Sequence, residues 1–278
     1  MNIVDPSSVI RKEHARQVAV DLSRRVALVT GGDSGIGRAV ALLLAGHGAK
    51  VWVGDLHRSS ENTTVFETLG ITQMICDVRI ESDVARLAEA ATQESGRLDM
   101  LVNCAGIGLV KQIPEVAEAE WDACLGTNLK GAFLAAKHAL GPMRRTGGGS
   151  IVNISSNAGL LPRAHDPVYS TSKAALIALT KSLALCHAGD KIRVNAVCPG
   201  PVSDTGMMNA DLAAADDPQA MKQRFIAASP LARAHGRMIT PDEVAHAVLY
   251  LVSDAAAMVT GTALAIDGGK SLGVPPTQ

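Results

Sequence analysis

Short apolar runs recur along the chain at Val26–Thr30, Lys50–Asp55, Gln73–Asp77, Leu98–Asn103, Ser150–Ser155, Ile192–Val197 and Ala263–Asp267. They are rich in β-branched residues or Leu and do not alternate with polar ones, as strands buried on both faces should not. Longer stretches with helical spacing separate them: Gly35–His47, Ser60–Leu69, Ser82–Ser95, one from about Glu118 to Arg145, Val168–His187 and Pro241–Leu251. This alternation predicts an α/β fold: one doubly wound domain, with a parallel sheet of about seven strands, helices on both faces and right-handed crossovers. The predicted domain runs over 22–270, between a polar arm at 1–21 and a tail at 271–278. Residues 199–240 break the pattern as a long insert carrying Met207, Met208, Met221 and Phe225. An insert of that length in a compact domain is expected to be a substrate lid.

Composition narrows the classes. Hydrophobic residues make up 47% and charged residues 19%, which excludes an unfolded chain. Lys plus Arg is 26 against 27 for Asp plus Glu, so there is no field for capturing nucleic acid or an anionic membrane. No apolar stretch approaches the roughly 18 residues of a transmembrane helix. Arg11, Lys12, Glu13, His14 and Arg16 stand where a secretory signal would need its apolar segment. Five cysteines without a C-x-x-C argue against a disulfide framework and a zinc site, and the eight histidines show no metal-ligand spacing. A reduced, cytoplasmic, metal-free protein is the expectation. Aromatic residues are only 3%, so a Tyr is rare here and its position informative.

The run from Val26 to Gly37 leaves the first strand and enters a helix. Gly31 permits a sharp turn, Gly35 lets backbone approach a pyrophosphate, and Gly37 allows close packing of helix on strand. The helix N-terminus then offers free N–H groups and partial positive charge to phosphate. Asp55 follows Gly37 by 18 positions at the end of the second strand, completing a dinucleotide-binding (Rossmann) pattern. A carboxylate there accepts hydrogen bonds from the adenosine ribose and repels a 2'-phosphate, which favours NAD over NADP. Arg58 is the dissenting residue. The string Gly32-Asp-Ser-Gly35 also resembles a serine-protease nucleophile, but no His and Asp are placed to serve it.

Tyr169 and Lys173 fall at i and i+4 on one helix face. A phenol with a pKa of about 10 is a poor base at neutral pH. An ammonium about 4 Å away contributes on the order of 4 kcal/mol at an effective dielectric of 20, roughly three pKa units. Ser155 and Ser156 close the fifth predicted strand, Asn103-Cys-Ala-Gly106 the fourth, and Asn128 sits on the long helix. These polar strand ends point to the carboxyl edge of the sheet, where open α/β sheets bind ligands.

Together these motifs resemble the short-chain dehydrogenase/reductase family over about residues 22–270. The resemblance rests on Thr30-Gly-Gly-Asp-Ser-Gly-Ile-Gly37, Asn103-Cys-Ala-Gly106, Asn128, Ser156, Tyr169-x-x-x-Lys173, Pro199-Gly200 and Asp267-Gly-Gly269. It implies Tyr169 as general acid/base, Ser156 as polariser of the substrate oxygen, and Lys173 as the residue that lowers the Tyr pKa and binds the nicotinamide ribose. Asn128 would hold a water on the proton path. Cofactor contacts are implied for Gly31, Asp33, Ser34, Gly35, Ile36, Gly37, Asp55, Leu56, Asp77, Val78, Asn103, Ala105, Gly106, Tyr169, Lys173, Pro199, Gly200, Val202 and Thr205. Thr205 comes one residue later than the family pattern places it, behind Asp204. The resemblance also implies a homotetramer packed through the helices near 118–145 and Tyr169, with Ala135, Ala136, Ala174, Ala175 and Ala178 suited to close contact.

The expected function is NAD-dependent hydride transfer between nicotinamide and a secondary alcohol or ketone. An NADP-linked 3-oxoacyl or carbonyl reductase is the alternative. A non-catalytic NAD-binding sensor is a further one, which the presence of Asn128, Ser156, Tyr169 and Lys173 disfavours. Asn157–Pro162, Gly106–Gly108 and the 199–240 insert are mostly apolar or small, without an Arg cluster, which leans towards a neutral substrate. His165, four residues before Tyr169, reads at least as well as an ordinary loop histidine as it does as a pocket residue.

Overall fold

The structure, a computed structural model, describes residues 20–161 and 163–273. Most of the predicted arm and the last five residues of the predicted tail lie outside it. Among the described residues seven strands form one parallel sheet: β1 Val26–Thr30, β2 Lys50–Asp55, β3 Thr72–Ile75, β4 Met100–Asn103, β5 Gly149–Ile154, β6 Ile192–Pro199 and β7 Ala263–Ile266. Their order is β3-β2-β1-β4-β5-β6-β7. The order reverses between β1 and β4, which opens a crevice beyond the carboxyl ends of those strands.

The non-alternating strands divide their side chains between two cores. Ala27 and Val29 of β1, Val51 and Val53 of β2 and Val102 of β4 face one side. There they pack against α1 (Gly35–Gly46) and α10 (Pro241–Val252). Val26 and Leu28, Trp52 and Leu101 face the other side, against α3 (Glu81–Ser95) and α5 (Gly131–Arg145). Helix α2 (Ser60–Thr68) adds Phe66 to the first core. Because both faces are covered, every residue of β1 is buried. That explains why the run reads as uniformly apolar.

The predicted helix 118–145 is α4 (Glu118–Leu125) and α5 joined by a five-residue π-turn, Gly126–Lys130, in which Gly131 N–H reaches Gly126 C=O. Asn128 sits in that turn, and such insertions cluster at functional sites. Helix α6 (Pro167–His187) starts two residues before Tyr169. Between β6 and α10, where the sequence suggested a loop, the chain forms three short helices: α7 (Gly206–Ala213), α8 (Pro218–Ala227) and α9 (Pro230–His235). Thr205, Asp217 and Thr240 cap α7, α8 and α10 with their side chains, which locally sets where these helices start.

Candidate active site

The strand register aligns Gly54, Thr30, Asn103 and Asn153 across four neighbouring strands. The residues that follow them therefore emerge at one edge and line a cleft of about 720 Å³. Gly31 turns there with φ +65, and a Cβ on it would stand 2.7 Å from Ala105 backbone. A Cβ on Gly37 would strike the Gly31 carbonyl. Ser34 caps α1 without its side chain taking a first-turn N–H, and that turn holds no acidic residue. The N-terminus of α1 thus keeps donors and positive potential for an anion. Gly31, Ser34, Gly35, Ile36 and Gly37 all line the cleft, a fit to a pyrophosphate that any larger residue at 31 or 37 would spoil.

Asp55 and Leu56 line the cleft at the end of β2, and Asp55 Oδ2 accepts Asp33 N–H at 3.0 Å. Arg58 is exposed and outside the lining. Asp33 is also outside it. Its carboxylate turns inward to accept Ser59 N–H at 2.6 Å, Asn62 Nδ2 at 2.7 Å and Gln73 Nε2 at 2.6 Å, bracing the turn to α2 and β3. Asp77 and Val78 border the cleft, where Arg79 Nε and Nη2 clasp the Asp77 carboxylate and hold its pKa below the ordinary value.

On the other side of the crevice Ala105 and Gly106 line the wall, whereas Asn103 is buried behind it, donating to Asn153 Oδ1 at 2.8 Å. Asn128 likewise works from behind: Oδ1 accepts Ile107 N–H at 2.8 Å and Nδ2 donates to Ile107 C=O at 2.9 Å and Ser172 Oγ at 3.0 Å. It pins the Gly106–Ile107 backbone against α6. Pro199, Gly200 and Val202 line the cleft where β6 ends. The late Thr205 reaches it as well, because Asp204 adopts φ +55 and absorbs the extra residue. Thr205 Cγ2 then lies 3.2 Å from a Cβ built on Gly35, across the cleft from the glycine turn.

Ser156, Tyr169 and Lys173 meet in the same cleft. Ser156 follows β5, and its Oγ accepts Ala158 N–H at 3.1 Å while donating to Asn157 Oδ1 at 3.3 Å. Lys173 is 4% exposed and donates from Nζ to Ile154 C=O at 3.0 Å. Burial draws its pKa from 10.5 down to about 8. Nζ is 5.8 Å from the centre of the Tyr169 ring. Burial holds the phenol above its ordinary pKa, opposed by the neighbouring Ser156 hydroxyl. The i,i+4 spacing puts both side chains on one face, but the lysine stem runs towards the end of β5. Cys104 also lines the cleft, its thiol pushed up to about 12 by burial.

Beyond Tyr169 the walls are formed by Met207, Met208, Met221 and Phe225 from the 199–240 insert and by His165 from the loop before α6. Arg163 and Lys270 also line this part, two cations that no motif marks in the sequence. Arg163 directly follows the Asn157–Pro162 stretch, and Lys270 directly follows Asp267-Gly-Gly269. Among the described residues no cluster of His, Cys, Asp and Glu is arranged to hold a metal, and no helix is long and apolar enough to cross a membrane.

A family model described as enoyl-(acyl carrier protein) reductase matches residues 31–271. The cis-4-hydroxycyclohexanecarboxylate dehydrogenase of Sinomonas cyclohexanicum is 40% identical over 251 residues, covering 89% of this chain and 96% of the relative. The structure of an aldohexose dehydrogenase from Thermoplasma acidophilum superimposes with a TM-score of 0.82 at 34% identity, covering 94% of this chain and 98% of that one. A short-chain type dehydrogenase/reductase from Mycobacterium marinum gives 0.81 at 33% identity, covering 90% and 96%. With this likeness along nearly the whole chain and the glycine turn, Ser156, Tyr169 and Lys173 in one cleft, the protein belongs to the short-chain dehydrogenase/reductase family and is an oxidoreductase acting on CH–OH donors.

Proposed function

We propose that the protein is an NAD-dependent dehydrogenase of a secondary alcohol, with Tyr169 as its general acid/base. The observation that carries this is that Ser156, Tyr169 and Lys173 open into the cleft that the glycine turn and Asp55 also line. A bound nicotinamide dinucleotide would supply the hydride acceptor or donor. The Tyr169 hydroxyl exchanges a proton with the substrate oxygen. Ser156 Oγ donates a hydrogen bond to that oxygen, fixing it for transfer. Lys173 brings positive charge that favours the phenolate. Its Nζ stands 5.8 Å from the centre of the Tyr169 ring. Asn128 positions the Gly106–Ile107 wall.

Preference for NAD over NADP is supported by Asp55 in the cleft and by the exposed Arg58 outside its lining. Thermal unfolding with NADH and, separately, NADPH tests it. Ligand at about 100 times its dissociation constant adds roughly 2.7 kcal/mol, several degrees for a chain of this size. The expected result is a shift with NADH alone; an equal or larger shift with NADPH overturns the assignment. A homotetramer is proposed on the family likeness, supported by Trp121, Phe133 and Leu185, exposed on α4, α5 and α6. Ala174 and Ala178 are open on α6, whereas Ala135 and Ala136 are consumed by the chain's own core. Sedimentation as a monomer at micromolar concentration would refute the tetramer.

A further inference from the structure

Three elements close the cleft beyond Tyr169: the loop before α6, the helix α7 and the turn after β7. Each brings charge into an otherwise methionine-rich wall. From the first come Arg163, His165 and Asp166, from the second Asp211, and from the third Lys270 beside Asp267. Two of the three carboxylates are already spent. Asp166 is 2% exposed and is held by Arg163 at 2.7 Å and by Ser170 Oγ at 3.0 Å. Asp267 is 3% exposed and accepts the N–H groups of Gly269 at 2.9 Å and Ser271 at 2.8 Å.

The cations are less well satisfied. Arg163 donates from Nη2 to His165 Nε2 at 3.0 Å and to Asp166, while its Nε is buried without a partner. Lys270 is half-buried, and among the described residues its ammonium has no ion pair and no hydrogen bond. Burial holds the Lys270 pKa below its ordinary value, the Arg163 guanidinium adds to this, and Asp267 and Asp166 oppose it. Arg163 already has a counter-ion in Asp166, so it is the half-buried ammonium of Lys270, without an ion pair among the described residues, that gains most from a bound anion.

We propose that Arg163 and Lys270 form an oxyanion subsite that receives a carboxylate or sulfonate of the substrate, so that the alcohol oxidised at Tyr169 belongs to a hydroxy acid or hydroxysulfonate. This rests on the dehydrogenase reading of the same cleft and narrows its substrate class. The planar guanidinium supplies directional donors, and the lysine supplies a point charge. Asp211 is the carboxylate that faces Arg163 from α7, with its pKa raised by burial. It opposes a bound anion and so sets the affinity from the other side.

Calorimetric binding of benzoate, benzenesulfonate and the neutral isostere benzamide tests the subsite without turnover. Benzoate or benzenesulfonate should bind at least about tenfold more tightly than benzamide, the worth of one charge-assisted hydrogen bond. Whichever anion binds more tightly identifies the headgroup. Lys270→Gln, which breaks no ion pair, should erase most of that preference, and Asp211→Asn should tighten the anion without changing benzamide. Arg163→Gln should act like Lys270→Gln, although it also strands the buried Asp166. Equal binding of all three probes, no binding of either anion, or an unchanged preference in Lys270→Gln would overturn the proposal. If that happens while a neutral secondary alcohol is still oxidised in a Tyr169-dependent way, the subsite fails and the dehydrogenase reading stands. Anion preference in a protein whose Tyr169→Phe variant keeps its turnover would mean the reverse.

Discussion

Lys173 should make the protein less stable than its cavity requires, and the cost can be measured by replacing it with Met. The side chain is 4% exposed, and burial lowers its pKa from 10.5 to about 8. At 1.36 kcal/mol per pKa unit, keeping the ammonium in the folded protein costs about 3 kcal/mol at pH 7. Below about pH 8 both states hold the proton and the cost is fully present. Between about 8 and 10.5 the folded state has released it while the unfolded chain retains it, so stability rises with pH across that window. Methionine keeps an apolar stem of similar length but forfeits the bond from Nζ to Ile154 C=O, a loss of about 1–2 kcal/mol. Lys173→Met should therefore be about 1–2 kcal/mol more stable at pH 7, a rise in Tm of a few degrees. That advantage should shrink by about 2 kcal/mol by pH 9.5, as the wild-type protein recovers what the charge had cost. Thermal unfolding of both proteins at matched concentration between pH 6.5 and 9.5 reads the difference. A difference that does not change with pH, or that grows in favour of the variant, would refute the reasoning. Turnover in the variant should be lost throughout.

Asp33→Ala removes the acceptor of three hydrogen bonds from Ser59, Asn62 and Gln73 and should cost about 3 kcal/mol, with a clear drop in Tm. Loss of NADH affinity without that drop would mean Asp33 contacts the cofactor instead of bracing the turn. Glu243 is pulled down to about 2 by its hydrogen bond from Arg237 and by Thr240 N–H, at the cap of α10. Its contribution is present above the ordinary value of 4.5 and lost as pH falls towards 2. Because both partners are exposed to solvent, Glu243→Gln should cost only about 1 kcal/mol at pH 7. Urea denaturation from pH 7 to 3 should show that gap closing; a gap constant with pH contradicts it.

The strands were legible because burial on both faces leaves continuous runs such as Val26–Thr30, and the glycine turn because its backbone demands leave few residues to choose from. The π-turn was not, since Gly126–Lys130 continues a helical pattern and the extra residue leaves no mark in hydrophobic spacing. The position of Thr205 depended on the left-handed backbone of Asp204, a conformation that local sequence permits but does not dictate. By resemblance Asp33 contacts the cofactor and Asn128 holds a water on the proton path; in the fold both side chains also brace the walls from behind. The convergence of Arg163 and Lys270 is a product of tertiary packing between residues more than a hundred positions apart.

The central claim is that Tyr169 passes the proton during hydride transfer in this cleft. Removing only its hydroxyl, as Tyr169→Phe, and measuring both NADH binding by fluorescence titration and turnover of a secondary alcohol separates binding from chemistry. The account predicts NADH affinity within about twofold of wild type and turnover lowered by about a hundredfold or more, the scale of a lost general acid/base. Substantial residual turnover in a variant that still binds NADH would contradict it.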